Sequence, residues 1–87
     1  MNIDDQNPPD HRLDARGLMC PEPIRLAELA SRKLADNDVL EVLATDLAAP
    51  IDFEAWAMGK GHSYLGDWSH ESWLVIRVQI RNCRTVK

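Results

Sequence analysis

The chain is poor in the features that usually reveal a function. It has two cysteines in 87 residues, and Cys20 and Cys83 lie too far apart to form a CxxC pair or the paired spacing of a zinc site. Ten Lys and Arg stand against 14 Asp and Glu, a net charge of −4, and no basic cluster is dense enough for a direct nucleic-acid face. No apolar run is long enough to cross a bilayer, and no leader pattern opens the sequence. The expectation is a cytoplasmic protein without membrane contact, where a structural disulfide is disfavoured. GKGHSYLG lacks the phosphate-loop spacing, and His11, His62 and His70 are too scattered for a metal set or for base assistance to a cysteine. There are no internal repeats. No metal or organic cofactor is expected.

What remains is one small domain. Apolar residues make up 45% of the chain, the normal globular share, in a length at which a single core is only just sufficient. Residues 1–10, MNIDDQNPPD, read as a loose polar tail, residues 11–81 as the folded domain and residues 82–87 as a second tail.

Within the domain, HRLDA reads as a short edge strand. From Pro23 to about Leu34, Ile24, Leu26, Ala27, Ala30 and Leu34 recur at helical spacing, with Arg25, Glu28 and Arg32 opposite, and the DND at 36–38 ends the helix. VLEVLAT (39–45) is a strand with Leu40, Val42 and Ala44 on one face. A second helix is expected over 46–60, capped by Asp46, with Ile51, Ala55 and Met58 on a shared face and Gly61 as its stop, although Pro50 blurs its start. HSYLGDW (62–68) is a strand and SHES a turn. In WLVIRVQIR (73–81), Leu74, Ile76, Val78 and Ile80 point inward, while Val75, Arg77, Gln79 and Arg81 point to water. The order β-α-β-α-β-β predicts an α+β, two-layer α/β sandwich: a mixed four-stranded sheet with two helices on one face. Trp56, Trp68 and Trp73 read as packing residues, His62 as structural, and Asp46, Asp52 and Glu54 as capping and surface charge.

The informative stretch is GLMCPEPIRLAELA, residues 17–30. Cys20 is expected to be the N-cap of the first helix, with Pro21 at the first helical position, where a missing N–H costs nothing. Pro23 removes a further donor, leaving the N–H of Glu22 to face the sulfur. Gly17 supplies a bend, and Leu18 and Met19 pin the loop. The helix dipole with Arg16 and Arg25 is expected to lower the thiol pKa, moderately because Glu22 opposes them, and the two arginines to form a positive rim for partner docking. Cys83 reads as an incidental tail thiol.

LDARGLMCPEP resembles the signature of the TusA-like (SirA/YedF) sulfur-carrier family, and the resemblance runs over about residues 11–81, with ATDLAA at 44–49 and GH at 61–62 in similar places. It implies that Cys20 bears a persulfide and that Pro21, Glu22 and Pro23 form its helix entry. The implied fold is like the C-terminal domain of bacterial translation initiation factor three. It further implies a sulfurtransferase-type relay without cofactor, loaded by a cysteine desulfurase or rhodanese and discharged to an acceptor protein thiol. The family serves tRNA thiolation, molybdenum-cofactor synthesis and sulfur oxidation. The chain departs from the family pattern in having Asp46-Leu47 where Asp-Pro is usual, and Ile51 where an arginine is common. A rival reading from another class is a redox-sensing module in which Cys20 pairs with Cys83 or a partner cysteine; another is an adaptor using the sheet, with Cys20 unreactive.

Overall fold

In the computed structural model, which describes residues 9–81, the elements follow the expected order: β1 (His11–Ala15), α1 (Glu22–Ser31), β2 (Val39–Ala44), α2 (Ala49–Lys60), β3 (Ser63–His70) and β4 (Trp73–Gln79). The sheet order is β1-β2-β4-β3, with β1 parallel to β2 and the other two pairings antiparallel. The sheet is mixed, the two helices cover one face, and the α+β sandwich is as expected.

Period-two alternation supplies the floor of the core. Leu40, Val42, Ala44, Ile76, Val78 and Ile80 are fully buried and cluster with Phe53, Trp56 and Ala57 of α2 and Ala27 of α1. The alanines let the helix backbones approach the sheet, and Phe53 meets Trp56 edge to face at 5.8 Å. The Trp56 indole N–H donates to Glu28 Oε1 at 2.9 Å, fastening α2 to α1, and burial without loss of that partner is what the indole requires. His62 Nδ1 accepts the N–H of Arg81 at 3.0 Å with its ring 5.0 Å from Trp56, the structural role expected of it, and burial pushes its pKa down.

The helix assignments need three corrections. The first helix ends at Ser31, short of Leu34, although Ile24, Ala30 and Leu34 do pack on the core. The second begins at Ala49, with Pro50 inside its first turn, where no hydrogen bond is lost. Asp46 therefore stands outside the helix and does not cap it; Gly61, at φ 80°, does stop it in the left-handed conformation that glycine adopts freely. The third correction concerns orientation. The face carrying Ile51, Ala55 and Met58 is exposed, while Ala49, Phe53, Trp56 and Ala57 are buried. Both faces of α2 are apolar, so periodicity alone does not choose between them. The aromatic pair buries more area and wins.

The sheet face away from the helices is also less wet than its sequence suggests. Val75 and Arg77, expected in solvent, are 5% and 1% exposed. Arg12, Glu41 and Arg77 stand side by side on β1, β2 and β4. Glu41 receives Arg12 Nε on one oxygen at 2.7 Å and Arg77 Nε on the other at 2.9 Å. The Trp68 ring lies over the Arg77 guanidinium at 5.8 Å, a cation–π contact that helps cover it. Glu41→Ala is expected to cost about 3–5 kcal/mol, because it takes a desolvated cation's carboxylate away. Arg12→Ala, whose side chain is mostly exposed, is expected to cost about 1 kcal/mol or less. Urea unfolding of the two variants measures the contrast, and equal losses would mean that burial of the row is not what makes Glu41 matter.

Candidate functional site

The site forms where β1 and β2 end. Their parallel register sets Ala15 beside Ala44, so the loop leaving β1 meets the corner leaving β2. Gly17 turns the loop at φ 84° and donates its N–H to Thr45 Oγ1 at 2.8 Å. Asp46 Oδ2 accepts the Cys20 N–H at 3.3 Å, and Asp46 Oδ1 accepts that of Ala48 at 3.0 Å, so one carboxylate ties the sulfur-bearing loop to the entry of α2. Leu18 packs on the core as expected. Met19 does not; it is exposed.

Cys20 is exposed and opens onto a narrow crevice whose other walls are Pro23 and Ile24 of α1, Asp46, and Ala49, Asp52 and Phe53 of α2. The first turns of both helices converge on it. Cys20 is not, however, the N-cap of α1. That position belongs to Pro21, no side chain caps the helix, and Pro23 is buried inside the first turn. The Glu22 N–H, expected to face the sulfur, donates to the Met19 carbonyl at 2.9 Å, and the Arg25 N–H to that of Pro21 at 3.0 Å.

The thiol's electrostatics reverse the expectation. Its pKa is raised, first by partial desolvation against the crevice wall, then by a hydrogen bond to Asp52, then by the negative charges of Asp52 and Asp46. The arginines do not offset this. Arg16 grips Asp14 through two bonds of 2.8 Å, which holds that carboxyl at about 2, and its guanidinium stacks over Trp73 at 4.6 Å. Arg25 is held by Glu22 at 2.9 and 3.1 Å. The positive rim is thus neutralised by its own neighbours, and the uncompensated charge beside the sulfur is negative. Asp46 and Asp52, read from sequence as capping and surface charge, line the crevice onto which Cys20 opens. The signal was an aspartate at each end of the short α2 entry, discounted because aspartates are common there. Among the described residues no His, Cys, Asp and Glu group has the makings of a metal site, and Cys83 lies outside them. No helix among them is long and apolar enough to cross a membrane.

A model of the family described as "Sulfurtransferase TusA" matches residues 11–80. The chain belongs to the TusA family. The sulfur carrier protein TusA of Pseudomonas entomophila is 42% identical to it over 57 residues, covering 66% of this chain and 71% of that protein. YrkF of Bacillus subtilis is 48% identical over 54 residues, which cover 62% of this chain but only 29% of YrkF. In architecture, a crystal structure of a SirA-like protein from Desulfitobacterium hafniense superposes with a TM-score of 0.68 at 23% identity, over 83% of this chain and 99% of that one, so the two chains share a fold.

Because the thiol of this TusA-family chain loses its proton above the ordinary cysteine range, its thiolate fraction near neutral pH is below that of a free cysteine and rises with pH. Asp52→Asn removes the charged acceptor, so the midpoint of Cys20 alkylation by iodoacetamide should move down and the rate near pH 7 should rise several-fold. A midpoint that moves up or stays would show that Asp52 does not hold the thiol protonated.

Proposed function

We propose that the chain carries sulfur as a persulfide on Cys20, accepting it from a donor protein and handing it to an acceptor protein's thiol. The observation that supports this reading is the placement of an exposed cysteine on a loop fixed at Gly17 and Cys20, where the first turns of two helices meet. In loading, Cys20 Sγ attacks the outer sulfur of the donor persulfide. The donor S–S bond breaks, its electron pair stays on the donor sulfur, and the proton given up by Cys20 is taken there. One sulfur atom moves, and nothing is oxidised or reduced overall. Discharge repeats the step with an acceptor thiolate attacking the outer sulfur and Cys20 as the leaving group.

Gly17 sets the bend, and Pro21, Glu22 and Pro23 form a stiff entry to α1 that denies the loop alternative hydrogen bonds. Arg16 and Arg25, each bound to a carboxylate, would contribute shape and directed hydrogen bonds to docking more than net charge. The chemistry needs no metal or organic cofactor. A cysteine desulfurase or a rhodanese is the donor class that suits it, a cytoplasmic relay is the setting, and tRNA thiolation, molybdenum-cofactor synthesis and sulfur oxidation are the candidate pathways.

Intact-mass measurement after incubation with a cysteine desulfurase and cysteine tests the proposal. Wild type and Cys83→Ser are expected to gain one sulfur atom that dithiothreitol removes, and Cys20→Ser to gain none. Loading of Cys20→Ser would overturn the assignment. Loss of loading in Cys83→Ser would favour the redox pairing of the two cysteines instead.

A further inference from the structure

Each of the three polar residues at the sulfur has an exposed apolar neighbour in the chain. Met19 precedes Cys20, Leu47 follows Asp46 and Ile51 precedes Asp52; they are 73%, 84% and 72% exposed. Met58, 76% exposed, continues the Ile51 face two turns along α2. Soluble proteins seldom leave several large apolar side chains exposed together unless something docks on them. The charge within this collar says what. The arginines of the sulfur loop, of α1 and just past its end are already engaged: Arg16 by Asp14, Arg25 by Glu22 and Arg32 by Glu28. Asp46 and Asp52 have no cationic partner among the described residues; Asp46 accepts the backbone N–H groups of Cys20 and Ala48, and both carboxylates line the crevice onto which Cys20 opens. A surface complementary to this one is apolar at its rim and positive beside its sulfur.

We propose that the exposed face of α2 with Met19 and Leu47 is the docking surface for the sulfur-exchanging partner, and that this partner is a protein presenting a lysine or arginine beside its own cysteine, the cation seating between Asp46 and Asp52. The inference rests on the carrier reading of Cys20 and specifies the chemistry of its partner. Seating the cation between the two carboxylates offsets their negative charge beside the thiol. Cys20 then attacks the partner's outer persulfide sulfur, and the proton it releases goes to the partner sulfur as that S–S bond breaks. The thiolate fraction is then larger in the docked carrier than in the isolated one. Access and activation become the same event.

Disulfide exchange with small probes tests the cation seat without a partner. Cystamine is cationic, bis(2-hydroxyethyl) disulfide neutral and dithiodiglycolate anionic. At low ionic strength the cystamine-to-neutral rate ratio should be about tenfold larger for wild type than for Asp52→Asn, and the anionic probe should react slowest with wild type. Asp46→Asn/Asp52→Asn should remove the discrimination further. Asp52→Asn alone carries the test if the double variant does not fold, since Asp46 holds the backbone at the entry of α2. A ratio unchanged by Asp52→Asn overturns the seat. For the apolar collar, the disulfide of the peptide Leu-Lys-Cys-Leu should react faster than that of Gln-Lys-Cys-Gln, and Ile51→Ser/Met58→Ser should abolish the difference. No leucine advantage in wild type overturns the docking face. These exchange rates are independent of persulfide loading, so a carrier reading that fails by mass measurement and a docking reading that fails here are told apart.

Discussion

The sheet is held in register by one row of charge. Glu41 can accept both Arg12 and Arg77 only when β1, β2 and β4 are aligned at that level, because a slip of one residue would turn its carboxylate into the apolar core. The gain in stability over an apolar row is modest at best, since removing these charges from water is costly. The row discriminates against misaligned sheets more than it deepens the correct one. Its effect reaches the site directly. With β1 and β2 level, Ala15 and Ala44 end together, and Gly17 finds Thr45 while Cys20 finds Asp46.

The sulfur site is built on a compromise between availability and restraint. A thiolate of higher basicity is the stronger nucleophile, but less of it is present at neutral pH, and it is the poorer leaving group when sulfur moves on. An exposed cysteine with a strongly lowered pKa would meet every oxidant and disulfide in its surroundings. Here the backbone supplies access and rigidity, while partial desolvation, then the carboxylates of Asp52 and Asp46, supply the restraint. The geometry of the TusA motif and the electrostatics of its surroundings therefore act in opposite directions on the same atom.

Much of this was legible in the residues. The alternation along β2 and along β4 into Ile80 gave the buried faces Leu40-Val42-Ala44 and Ile76-Val78-Ile80, and Cys-Pro-Glu-Pro marked the start of α1. Local pattern failed where a long-range competition decided. Burial of α2 turned on whether Phe53 and Trp56 or Ile51 and Met58 had the better seat on a sheet formed by distant strands. Arg77 looked solvated because its partner Glu41 lies on another strand. The thiol's pKa was misjudged for the same reason. Its neighbours in sequence are arginines bound elsewhere, and its neighbours in space are aspartates some 26 residues on or more.

The register shift between Tyr64 and Gly66 in β3 has a consequence for how molecules of this chain meet one another. β3 is an outer strand of the sheet, and a straight outer strand offers an even ladder of donors and acceptors to which a second chain can add. The bulge at Leu65 breaks that ladder and twists the strand, so edge-to-edge sheet growth along β3 is blunted. The molecule can thus carry an adhesive helical face on one side while the β3 edge stays unreceptive to an added strand.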